Sequence, residues 1–183
     1  QLLSLRTDSY TNFNNNEGDL IVGSCESISI FSQVSNFKGT IDNLRLYKVA
    51  LKEWEIQYLF DPEGFQEEAR DIATKSNYEM GHWTFDGNTQ DSSDNQNDGN
   101  LISGEFVADR DGNPTSALYL DGVDDHVVIP HSDSLNPTDQ LSVSMWLKID
   151  DYTNVWMPII NKGGLFMTGG KNREYAIWTK NSG

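Results

Sequence analysis

The run Leu141 to Ile149 (LSVSMWLKI) alternates without a break, with Leu141, Val143, Met145, Leu147 and Ile149 on one side and Ser142, Ser144, Trp146 and Lys148 on the other. A period of two places one set against a core and turns the other away, which is the pattern of a half-buried strand and not of a helix. A lone strand of this kind is unstable, so the chain must supply partners. It does so in EMGHWTFDG, SALYLDG, HVVIP, MPIINK and EYAIWTK, short apolar runs separated by Gly, Asn and Asp turns, with a polar, turn-rich run from Asn88 to Asn100. Short strands at even spacing predict an all-β, antiparallel sandwich or jelly roll.

The N-terminal part repeats the theme. Leu20, Ile21 and Val22 end at Gly23, Ile28, Ile30 and Phe31 follow, and Ile41 to Tyr47 come after a turn at Gly39. Residues 49 to 60 (VALKEWEIQYLF) change period and predict a short helix ended by Asp61 and Pro62. Residues 61 to 77 are charged, with one weak apolar stripe of Phe65, Ala69 and Ile72, and read as a partly helical linker. The expected organisation is therefore 1–60, a linker 61–77, and 78–183.

Composition sets the outer bounds. In 183 residues, 37% hydrophobic and 11% aromatic side chains are enough for a real core. A formal charge of −15 repels a phosphate backbone or an anionic membrane surface, so no nucleic-acid partner is expected. No run of 18 apolar residues is present, so no membrane insertion is expected either. The single cysteine, Cys25, closes no intrachain disulfide and reads as a small hydrophobe. The chain opens at Gln1 without a signal peptide, which predicts a piece of a longer or processed protein.

Several separated motifs resemble a known family. MGHWTFDG (Met80 to Gly87), DSSDNQNDGNL (Asp91 to Leu101), ALYLDGVDDHVVIP (Ala117 to Pro130) and SLNPTDQLSVSMWLKID (Ser134 to Asp150) are similar, in this order, to the opening half of the laminin-G-like jelly rolls of the concanavalin A-like lectin and glucanase superfamily. GTIDNLRLYKVALKEWEIQYLF (Gly39 to Phe60) resembles that family's last strand and terminal helical turn. The closing motif thus precedes the opening one. Three arrangements fit this order: a cut from a tandem array, a circularly permuted domain, or two pieces that complete sandwiches across neighbouring copies. A half sandwich leaves open edges and a bare apolar face, so the economical arrangement packs 1–60 on 78–183 of the same chain, with a neighbouring chain as the alternative.

The resemblance implies that the first and last strands are neighbours, with a structural calcium in several superfamily members. By period-two counting Asp42 shares the face of Leu44 and Leu46 and points toward the core side, where it needs a partner. Asp42 and Asp86 are the candidate calcium ligands, with Asp121 of the DGVDD turn as a third; the alternative is that all three are ordinary turn residues. Asp94 to Glu105 (DNQNDGNLISGE) nearly spells an EF-hand loop, but the flanking segments lack the helices such a loop requires.

No strand presents the tight acidic cluster that a glucanase needs. Glu53, Trp54 and Glu55 read as a solvated helix face, and His82, His126 and His131 are dispersed without a nucleophile, so no enzyme is expected. Sugar binding, the role the resemblance implies most often, needs aromatic platforms beside planar polar groups. Tyr152, Asn154 and Trp156 form one candidate set, and Arg173, Tyr175, Trp178 and Lys180 another, while Trp146 and Trp178 fit core packing equally well. The expectation is a noncatalytic, calcium-stabilised carbohydrate-binding or adhesion module of an extracellular or cell-surface protein, partnered by a glycan or cell-surface polysaccharide. The alternatives are a structural repeat of a fibre or adhesin stalk joining copies of itself, and the accessory domain of a glycoside hydrolase.

Overall fold

In chain order the strands are β1 (Leu2–Arg6), β2 (Leu20–Val22), β3 (Lys38–Tyr47), β4 (Glu79–Trp83), β5 (Asn100–Ile102), β6 (Glu105–Val107), β7 (Ala117–Asp121), β8 (His126–Ile129), β9 (Ser142–Ile149), β10 (Met157–Lys162) and β11 (Tyr175–Thr179). Among the described residues, one helix, α1 (Glu53–Phe60), and a 3-10 turn at Asp133–Leu135 accompany them. They come from a computed structural model that describes residues 17–25, 35–61, 77–151, 156–163 and 174–180, and the backbone alone of 2–6. The expected strand at Ile28 to Phe31 and the helical part of the linker fall outside these residues.

The strands form two antiparallel sheets, one in the order β1-β9-β3-β7-β6 with β4 also on β3, the other β11-β10-β2-β8-β5. Each sheet has a strand from the N-terminal segment at its centre. β3 lies between β9 on one side and β7 and β4 on the other, and β2 lies between β10 and β8. The segments before and after the linker are thus interleaved in both sheets, and one core joins them: Leu20, Val22, Val127 and Ile160 from one sheet meet Ile41, Leu44, Leu118, Val143 and Met145 from the other. Each such aliphatic side chain contributes about 1.5–3 kcal/mol by leaving water.

The alternation read in residues 141 to 149 holds. Val143, Met145 and Leu147 enter the core, while Ser142, Ser144, Trp146 and Lys148 face the other way. Trp83 is fully buried, its indole N–H donating to Asn97 O at 3.0 Å. A Cβ on Gly81 would lie 2.2 Å from that indole, so the glycine in MGHW is a space requirement. The short strands β5 and β6, and β1, carry no alternating run long enough to be read from sequence, which is why they were not expected.

The orientation of Asp42 differs from the expectation. Ile41, Leu44 and Leu46 all sit in the core, although Ile41 and Leu44 are an odd number of residues apart. The pairing of β3 with β9 shifts register between Asp42 and Arg45, and Asn43 there has φ 51°. This is a β-bulge: one extra residue restarts the alternation with opposite phase. Asp42 therefore lies on the outer face with Thr40, away from Leu44 and Leu46.

The bulge predicts a specific ranking at Asn43. Glycine accepts φ 51° freely and loses only the amide contacts, whereas a β-branched residue there is strained by an additional 1–2 kcal/mol or so. Denaturant melts are expected to place Asn43→Val clearly below Asn43→Gly; equal midpoints would show that the bulge does not constrain the strand.

Candidate functional site

The outer face of the larger sheet carries the site. Across β7, β3 and β9, Tyr119, Thr40 and Lys148 fall in one row, because Thr40 pairs with both Tyr119 and Lys148. Asp42 and Trp146 form the next row. Neighbouring strands lie about 4.8 Å apart, so three strands make a floor about 10 Å wide. Ala117 is the next outward residue on β7, and its small side chain leaves a hollow beside Asp42. The result is a groove of ≈ 560 Å³, walled by Val107 to Arg110 on one side and reaching Asp150 at the end of β9.

The wall is a turn organised by Asp109. Its Oδ1 accepts from the N–H groups of Asp111 and Asn113 at 2.8 and 2.9 Å, and its Oδ2 accepts from Asn113 Nδ2 at 2.8 Å. These bonds, the Asn113 side chain first, hold the Asp109 carboxyl below its usual range. The turn projects Arg110 back over the sheet. Its Nη1 is 3.1 Å from Asp42 Oδ2, its Nη2 3.4 Å from Asp111, and its guanidinium carbon 4.1 Å from the centroid of the Trp146 ring. Trp146 in turn stacks on Phe60 at the end of α1, with centroids 5.3 Å apart and planes 27° from parallel.

On its other flank Asp42 connects to the bulge. Asn43 Nδ2 donates to Asp42 Oδ1 at 2.8 Å, and the side-chain Oδ1 of Asn43 lies 3.3 Å from His82 Nε2 on β4. Asp42 is only 4% exposed. Burial pushes its carboxyl above the usual range; the Asn43 hydrogen bond and Arg110 pull it back, and repulsion from Asp109 and Asp86 adds to the rise. His82 is driven the other way, down to about 4, first by burial and then by the Arg45 cation, with Asp91 and Asp86 opposing. A neutral imidazole whose Nε2–H donates to Asn43 satisfies both the distance and this shift.

The structure does not gather the three expected calcium ligands at one place. β3 and β4 do pair, as the resemblance implied; Asp86 is exposed, and the two oxygens of Asp42 accept one hydrogen bond from Asn43 and one from Arg110. Asp121 is separate: it pairs with Lys38, four residues along β3 from Asp42 and on the order of 13 Å away. Its neighbours are Asp124 and Asp125, with ligand atoms within 4.8 Å of one another. These three carboxylates could hold a metal ion, and two of them also organise a turn, since Asp125 accepts from the N–H groups of Gly104 and Asp121, and Asp121 from that of Val123. The loop that nearly spells an EF-hand is likewise a hydrogen-bonded turn, and no helix flanks it.

Of the expected sugar-binding residues, Tyr152, Asn154 and Arg173 lie outside the described residues. Trp156 is 48% exposed, with Lys180 Nζ 5.5 Å from its ring centroid. Trp178 is partly buried on β11, opposite Pro158. Trp178 belongs to the smaller sheet and Trp156 directly precedes its strand β10; neither lines the groove. Trp146 is not core packing: it is part of the groove floor. Arg110, Tyr119 and Thr40 were not anticipated. The spacing in DRDGN announces a turn around Asp109, but nothing in it tells which way Arg110 points.

Comparison with family models, with curated proteins and with solved structures finds no match to this chain. The laminin-G-like resemblance therefore rests on the motifs alone.

The low value at His82 fixes a pH dependence. Between 6.5 and about 4 the unfolded imidazole takes up a proton that the folded one refuses, so stability is lost as pH falls through this window. The loss reaches about 3 kcal/mol at its lower end. Asp42 and Glu79, raised by burial, contribute in the opposite sense. The difference between wild type and His82→Gln isolates the imidazole: the stability gap is expected to narrow steadily from pH 7 to pH 4, and a constant gap would contradict the assignment.

Proposed function

We propose that this chain is a noncatalytic glycan-binding or adhesion module of a secreted or cell-surface modular protein, that its sandwich is a laminin-G-like jelly roll, and that the glycan lies in the groove of the larger sheet. One observation carries the reading: the groove sets the aromatic ring of Tyr119 and the Trp146 ring, held between Arg110 and Phe60, beside planar or hydroxyl groups that donate and accept (Arg110, Asp42, Thr40), around a hollow of ≈ 560 Å³. A sugar ring presents the complement, with apolar C–H faces and rows of hydroxyls, and small-ligand sites are built from this mixture of aromatic lining and few polar groups.

The committed state of the carboxylates supports a noncatalytic role. Glycoside hydrolysis needs two carboxyl groups free to exchange protons or attack a sugar carbon. Here Asp42 is paired with Arg110, Asp150 with Lys148 at 3.0 Å, and Asp109 holds its own turn. A stabilising calcium stays part of this reading, supported by the cluster of Asp121, Asp124 and Asp125, whose ligand atoms lie within 4.8 Å of one another.

A second reading is favoured by the interleaving. β2 and β3 insert between strands that follow the linker and β1 adds to β9 at the sheet edge, and the same contacts made with the strands of a neighbour would join copies into a fibre.

The test is affinity electrophoresis and calorimetry of the whole chain against a polysaccharide panel, with light scattering alongside. Binding is expected, lost in Trp146→Ala and weakened several-fold in Lys148→Ala, whose side chain is largely exposed and whose removal leaves the fold intact. Absence of binding together with concentration-dependent assembly would replace the glycan reading with the structural one.

A further inference from the structure

Resting on the glycan reading above, we infer that the groove selects neutral glycans and discriminates against uronic-acid and sulfated ones. The groove contains two cations, and each is already matched. Arg110 lies 3.1 Å from Asp42 and 3.4 Å from Asp111, and Lys148 lies 3.0 Å from Asp150. An anionic sugar that took the Nη1 edge of Arg110 would strand the 4% exposed Asp42 carboxylate without its cation, and one that took the remaining donors would meet the like charges of Asp42, Asp109 and Asp111 beside it. The formal charge of −15 opposes the approach of a polyanion as well.

Neutral hydroxyls face no such exchange. A guanidinium carries five N–H donors in a planar fork, and the ion pairs of Arg110 with Asp42 and Asp111 leave donors that a sugar hydroxyl can use while the pair with Asp42 stays closed. Carboxylate lone pairs on Asp42 and Asp150 accept from hydroxyls on the same terms. Cationic sugars gain little inside the groove, because both of these carboxylates are already answered.

The experiment measures affinities of the intact chain for galactomannan and laminarin, for alginate, polygalacturonate and carrageenan, and for chitosan oligomers, all at one low ionic strength. At least one neutral glycan is expected to bind, with every anionic glycan about tenfold weaker or more. Asp150→Asn, which releases Lys148 at the surface, and Asp42→Asn, which releases Arg110, are each expected to narrow that gap by raising affinity for the anionic glycans. Preference for an anionic or cationic glycan overturns the inference while leaving the glycan reading in place, and so does an unchanged gap in Asp150→Asn. Failure of every glycan to bind overturns the reading itself, and this inference with it.

Discussion

The bulge at Asn43 is the constraint on which the rest of this face depends. Without it, β3 would keep one phase from Lys38 to Tyr47, and either Ile41 or the pair Leu44 and Leu46 would leave the core. With it, both halves of the strand bury their aliphatic residues, and Asp42 is released to the outer face, still nearly sealed from water. The left-handed backbone suits asparagine, and the same side chain that tolerates the conformation supplies the contacts that stabilise it. Its amide donates to Asp42 and its carbonyl faces His82.

From that point a continuous series of contacts crosses the sheet. His82 on β4 meets Asn43, Asn43 meets Asp42, Asp42 meets Arg110, Arg110 covers Trp146, and Trp146 stacks on Phe60. Four elements and one turn are tied together by side chains drawn from distant parts of the chain. The energetics favour the whole series over any member: a buried carboxylate is costly alone and acceptable beside a guanidinium, and the aromatic ring supports the cation from the far side.

Much of the fold was legible because strand alternation is a local property. Leu141 to Ile149 declares its two faces without reference to anything else, and the structure agrees residue by residue through Leu147. The same rule failed at Asp42, because counting by twos passes straight through a bulge that only φ at Asn43 reveals. Strands β5 and β6, at three residues each, are too short to alternate and become strands only through β8 and β7. Arg110 was invisible for a different reason: the Asp109 turn is local, but the target of the side chain it presents, Asp42, lies far away in sequence. Lys162 is a comparable case, a lysine at the end of an apolar run whose fully buried ammonium contacts Gly18 O and approaches the Glu174 carboxylate at 3.7 Å.

The interleaving of the two segments also sets a timetable for folding. Leu20 pairs with Ile129 and Lys162, and Tyr47 with Ser142. The central strand of each sheet is therefore made early and satisfied late, since synthesis runs from the N-terminus and long-range pairing is slow to close. Until β4, β7 and β8 emerge, β2 and β3 carry apolar surface and unpaired backbone with no native partner, and one edge of each stays open until β9 and β10 follow. The polar residues set between the apolar ones of β3, Thr40, Asp42, Asn43 and Arg45, thus serve the unfinished chain as well as the finished one: they keep this ten-residue strand from being a continuous apolar edge while it waits.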